Sequence, residues 1–182
     1  VYGAKYLISD SAYSPTSDFL LLELNTTKEE LISYNAAYAG WEMNEVTSSQ
    51  TDFTICIHHP SGDVKKISKD NNPPFSYSYG KEKEYFWGVV WDYGTTEYIS
   101  SGSPLFNSNH RIIGQLYAGS ADCSNPAGSD YFGKFSFSWI TGHLSAWLDP
   151  IGSSANYVDT YNPSTNNKSI PQETRFLINP NP

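Results

Sequence analysis

Six short runs of β-branched and aromatic residues, each closed off by Gly, Pro, Asn, Asp or Ser, set the strongest limit on what this chain can fold into. Residues 2–9, 19–24, 53–58, 85–91, 111–117 and 133–139 have the length and composition of strands. Many short strands with turn signals between them predict an all-β barrel or sandwich. One helix is expected over 141–150, where Leu144, Trp147 and Leu148 fall at i, i+3 and i+4 and Pro150 stops the pattern. Residues 28–35 add a single helical turn. From Ile151 onward Ser, Asn, Thr and Pro take over, as in an extended wrap or a linker.

The 182 residues fit one domain, and an apolar fraction of 38% suffices for a core. Eleven Lys and Arg against 19 Asp and Glu give a formal charge of -8. That balance argues against nucleic acid, whose phosphates need clustered cations, and favours cationic substrates. No apolar run reaches the roughly 18 residues of a membrane span. The sequence carries no signal peptide and opens on Val1-Tyr2-Gly3 without a methionine, which reads as a processed or truncated end. Cys56 and Cys123 are too few for a metal knuckle. They are either buried thiols or disulfide partners, of each other or of another segment. No cofactor or metal is implied.

Chemistry concentrates in the stretch Ile99-Ser100-Ser101-Gly102-Ser103-Pro104-Leu105-Phe106, a small-residue turn running into an apolar strand. A serine on such a turn can present its hydroxyl while neighbouring backbone N–H groups converge on one spot, as an oxyanion hole requires. Two aspartates accompany it: Asp18, at the head of Phe19-Leu20-Leu21-Leu22-Glu23-Leu24, and Asp130 downstream.

Several collinear motifs resemble those of the bacterial lysyl endopeptidases. They are Thr16-Ser17-Asp18-Phe19 with Leu21 to Leu24, Ala39-Gly40-Trp41, Ile57-His58-His59-Pro60, Lys66-Ile67-Ser68, Thr96-Glu97, Ser100 to Pro104, Gly114-Gln115-Leu116, and Ser129-Asp130 with Gly133. The resemblance runs from about Gly3 to about Asp159 and implies a secreted, extracellular trypsin-like serine protease with the chymotrypsin double-barrel fold. On that basis residues 1–25 end the first barrel, 26–159 form the second, with a short C-terminal helix, and 160–182 are a tail.

The resemblance makes Ser101 the nucleophile and Asp18 the aspartate that orients a catalytic imidazole. The N–H groups of Ile99 and Ser101 become the oxyanion hole. Asp130 becomes the base of a pocket for a lysine ammonium, Gly119 the backbone rung for extended substrate, and Tyr79 and Tyr117 the aromatic flanks. Polypeptides with basic residues are the implied substrates. Four positions depart from the family pattern: Ile99 stands where the family has glycine, Ala118 likewise, and Tyr79 and Tyr117 replace a tryptophan and a histidine beside the pocket.

The family's general base lies upstream of the aspartate, in a short Thr-Ala-x-His-Cys type of motif. No histidine precedes Asp18 here. His58 and His59 fall in a strand motif, His110 in a hairpin turn and His143 at the head of the expected helix, and none is a credible base. The chain is therefore expected to be the C-terminal part of a longer protease, inactive alone, its partner being an N-terminal segment that carries the histidine. In trypsin-like proteases cysteines placed like Cys56 and Cys123 bridge to that portion. The competing reading is a non-catalytic module that recognises peptides or glycans by stacking on its 14 tyrosines and five tryptophans. A metal-dependent hydrolase built on His58 and His59 is unlike this pattern, because adjacent strand residues point to opposite faces.

Overall fold

The computed structural model describes residues 3–10, 17–44, 51–78 and 84–163. The architecture is mostly antiparallel β. A two-stranded sheet pairs β1 (Ala4–Ser9) with β2 (Leu20–Leu24). The main sheet curls into a half-barrel from β4 (Thr54–His58), β5 (Lys66–Asp70), β6 (Phe75–Tyr77), β7 (Phe86–Val90), β8 (Pro104–Phe106), β9 (Arg111–Gly119) and β10 (Ser129–Lys134). Its strand order is β5-β4-β8-β9-β10-β7-β6.

The curvature comes from β9. Its pairing skips Ile113 opposite β8 and Tyr117 opposite β10, so each is a bulged residue. A bulge bends the strand and raises its twist, which a closing sheet needs. Inside the curl, Trp87, Val89, Leu105, Ile113, Leu116 and Phe132 pack around Cys56, all nearly without solvent contact. Each such apolar side chain contributes about 1.5–3 kcal/mol by leaving water. The Trp87 indole N–H donates to the Ile113 carbonyl at 3.1 Å, so its one polar atom is satisfied.

Short β3 (Gly40–Glu42) runs parallel to the start of β9 and takes β11 (Tyr157–Val158) along its other edge. Pairing continues past residue 159 to Tyr161, which exchanges backbone hydrogen bonds of 2.7 and 2.8 Å with Tyr38. Arg111 fastens this return: it meets Glu42 at 3.1 Å and Asp159 at 2.7 Å, with the Tyr157 ring 3.6 Å away. Residues 151–163 thus wrap back onto the barrel; the rest of the expected tail lies outside the described residues.

Three helices are described: α1 (Lys28–Ser33), capped by Thr27, then α2 (Phe135–Thr141) and α3 (Ser145–Leu148). The strand expected over 133–139 is corrected here. It ends at Lys134, and Phe135-Ser136-Phe137-Ser138-Trp139 is helical. Alternating aromatic and serine residues mimic a strand, but Phe135, Ser138 and Trp139 share one helical face. Phe135 and Trp139 pack on Trp41 at centroid distances of 5.6 and 4.6 Å. The helix expected over 141–150 shrinks to α3, because His143 takes a left-handed φ of 47° and breaks it from α2. Among the described residues no helix is long and apolar enough to cross a membrane.

Candidate functional site

Backbone hydrogen bonds pin the serine turn on several sides. The Gly102 N–H donates to the Leu116 carbonyl at 2.8 Å, and the Leu116 N–H returns a bond to Ser103 at 2.9 Å. Ser100 donates to Glu97, and Ser103 to Ser100. The Tyr98 carbonyl accepts from Ser61 in the 3-10 turn Pro60–Gly62. What this network leaves over matters most. Among the described residues the N–H groups of Ile99 and Ser101 find no acceptor, and the Ser101 hydroxyl makes no hydrogen bond. Two unpaired donors two residues apart, beside an uncommitted hydroxyl, can together hold a developing oxyanion.

Ile99 sits in a left-handed conformation, φ 71°, with its side chain 54% exposed. A β-branched residue there is strained by roughly 1–3 kcal/mol. The turn therefore keeps a backbone shape natural to glycine although glycine is absent.

Asp18 is half-buried, also at positive φ (50°). Its placement is set by Ser17. The Ser17 carbonyl accepts from the Gln115 side chain at 2.6 Å, and the Ser17 hydroxyl meets Ser138 at 2.9 Å. Gly133 makes room: a Cβ there would fall 1.6 Å from the Ser17 carbonyl oxygen. Asp18 and Ser101 are thus each one residue from a group bonded to consecutive residues of β9, Gln115 and Leu116. Burial, and secondarily the Asp10 carboxylate, hold the Asp18 carboxyl above its ordinary range. Among the described residues that carboxylate accepts no hydrogen bond, so it is open to an imidazole N–H.

Asp130 lies on β10 with 1% of its surface exposed. One carboxyl oxygen accepts from Trp91 Nε1 at 2.7 Å and Thr96 Oγ1 at 2.6 Å. The other lies against Gly119, where a Cβ would stand 1.8 Å from it. Burial raises the carboxyl's pKa, and the bonds from Thr96, Trp91 and the Ala121 backbone only partly offset this. Thr96 belongs to the same loop as Ser101, so one segment links the buried carboxyl to the serine turn. Tyr117, at the bulge of β9, stacks on Phe86 at 5.0 Å. Tyr79 lies outside the described residues.

Among the described residues none of the four histidines hydrogen-bonds to Asp18 or Ser101 through its ring. His58 is buried between two serines, while His59 is exposed with Nδ1 at 3.1 Å from the Asp63 carbonyl. His110 is exposed in its hairpin turn, and His143 is exposed between α2 and α3. Cys56 is a buried thiol and Cys123 an exposed one, not bonded to each other. Among the described residues no group of three or more His, Cys, Asp or Glu could hold a metal ion.

Sequence reasoning left Trp91 and Ser138 without roles, and noted Gln115 and Thr96 only within motifs. A signal existed for Gln115: a polar residue between Gly114 and Leu116 of a buried strand must find a partner. Trp91 and Thr96 gave none, since only the fold brings them to Asp130.

A curled antiparallel sheet whose one loop carries both a serine turn and a threonine bonded to a buried carboxyl is the frame of a protease-related domain. Residues 2–133 match the family described as "Lysyl endopeptidase, C-terminal domain", and the chain belongs to that family. It is 32% identical over 139 residues to the lysyl endopeptidase of Pseudomonas aeruginosa, covering 73% of this chain. The match spans only 28% of that relative's length. Among solved structures it resembles the Rv3671c protease in its inactive form (TM-score 0.46, 12% identity, 82% of this chain and 68% of that one). It also resembles the MamO protease domain from Magnetospirillum magneticum in its apo form (TM-score 0.44, 12% identity, 76% and 67%).

Proposed function

We propose that this chain is the nucleophile- and pocket-bearing part of a secreted serine endopeptidase that cleaves after lysine or another basic residue. The observation that carries the reading is the serine turn itself: a Ser101 hydroxyl and the amides of Ile99 and Ser101 that find no partner among the described residues. Ser101 Oγ attacks the scissile carbonyl and passes its proton to an imidazole supplied from outside this chain, which Asp18 orients. The two amides hold the tetrahedral oxyanion. Collapse expels the amine, which takes the proton back from the imidazole. Water then releases the acyl group from Ser101 by the reverse sequence, with the same imidazole as base.

Asp130 suits a cationic substrate side chain for an electrostatic reason. Its negative charge is disfavoured by burial, and an incoming ammonium would restore the ionised form and gain a charge-assisted hydrogen bond. A neutral side chain brings no such compensation. Without the imidazole the chain alone should turn over peptides about six powers of ten more slowly than the assembled protease.

The test is labelling with a fluorophosphonate, mapped by peptide, on this chain alone and on the protein joined to a family first-barrel segment bearing the histidine. Ser101 should label in the joined protein and hardly at all in the chain alone. No labelling in either would transfer the case to a peptide- or glycan-binding homologue, a reading that the strained Ile99 at the oxyanion position favours.

A further inference from the structure

A buried chain of hydrogen bonds that the chemistry above does not use runs beneath the nucleophile turn. Ser68, His58 and Ser100 are each about 1% exposed. His58 Nδ1 lies 3.0 Å from Ser100 Oγ, and Nε2 lies 3.1 Å from Ser68 Oγ. The Glu97 N–H donates to Ser100 Oγ at 3.3 Å. A neutral His58 has one N–H to share between the two serines: with it on Nε2, Ser68 accepts and Ser100 donates to Nδ1, and with it on Nδ1 the roles are exchanged.

We propose that His58, with its proton on Nε2, is a positioning residue for the nucleophile turn. Its neutral imidazole accepts the Ser100 hydroxyl and thereby fixes the Ile99 and Ser101 amides on either side. Protonating His58 makes both ring nitrogens donors. Ser100 Oγ then receives two donors, its own proton loses its acceptor, and the turn is released. The groups around His58 do not stabilise the added charge. On its own strand His59 is exposed and of like sign. Across on β5, Lys66 is its register partner and pairs with Asp63 at 3.3 Å. From the loop, the Glu97 carboxylate turns to the Cys123 N–H at 2.9 Å, and no carboxylate offsets the burial of His58. Burial first, and His59 second, hold His58 below the ordinary 6.5, so release belongs to the acid side of that value.

The catalytic consequence rests on the protease reading; the coupling between His58 and the turn does not. The test is an NMR pH titration of the isotopically labelled chain as it stands. The Ile99 and Ser101 amide signals should shift with the same midpoint as the His58 ring. Ser100→Ala should abolish that shared titration while His58 still titrates, and Ser100→Thr should restore it. Amides that stay flat as His58 titrates in the unmodified chain, or that follow it equally in Ser100→Ala, overturn the proposal without any variant needing activity. In the joined protease, Ser100→Ala should lower kcat roughly ten- to a hundredfold at nearly unchanged KM. It should also make the acid limb of the kcat profile shallower by one proton. Coupled amides with an unlabelled Ser101 would sink the protease reading alone; a labelled Ser101 with uncoupled amides would sink this one alone.

Discussion

At the scale of single residues, two side chains carry measurable strain or charge. Ile99 holds φ 71° in the region where glycine rests without steric conflict. Ile99→Gly should therefore raise the unfolding free energy by about 1 kcal/mol, read from urea denaturation, even after glycine's own entropic loss. Ile99→Val should bring no gain, since it keeps the branched Cβ. Asp130 makes the second prediction. Folding raises its pKa above the ordinary 3.8, so the group's contribution to stability is full below that value and is lost as pH rises through the raised folded pKa. Asp130→Asn keeps an oxygen for Trp91 and Thr96 but cannot ionise. Its denaturation midpoint should lack the decline with rising pH that the unmodified chain shows across that window. The aspartate itself was legible in the sequence. Its partners were not, because Trp91 and Thr96 stand 39 and 34 positions away and only strand pairing brings them together.

Elements were legible where local pattern and tertiary demand agree. The strands containing Thr54–His58, Phe86–Val90 and Arg111–Gly119 follow from β-branched and aromatic runs that the half-barrel also needs buried. Pattern failed at Phe135–Thr141, where period-two alternation competes with a helical face and packing on Trp41 decides. Very short strands such as Gly40–Glu42 and Tyr157–Val158 had too few residues to show any period. Those two depend on Arg111, whose guanidinium joins β9 to Glu42 and Asp159. Arg111→Ala should cost about 2 kcal/mol, less than a fully buried pair because Asp159 is largely exposed. Amide hydrogen exchange at Tyr157, Val158 and Tyr161 should accelerate more than exchange in β9. Equal acceleration throughout would mean that Arg111 supports the whole sheet and not this return alone.

For the whole molecule, an all-β architecture followed from strand runs and turn clusters, and the half-barrel realises it. The charge of -8 acts at this scale too. If cationic peptides are the substrates, their association with the joined protease should slow severalfold when ionic strength rises from about 0.01 to 0.15 M, while kcat holds. Neutral ester substrates should show no such salt dependence. The clasp on Ser17 has a consequence for protein engineering. Gln115 and Ser138, which hold it, both belong to the strand and helix that follow Ser101 in the same chain. The address of Asp18 is therefore inherited with this polypeptide and need not be rebuilt when its neighbour is exchanged. If the proposed division of the protease holds, chimeras could trade first barrels among relatives as interchangeable parts, and a two-fragment reporter could be switched on by adding only a histidine donor.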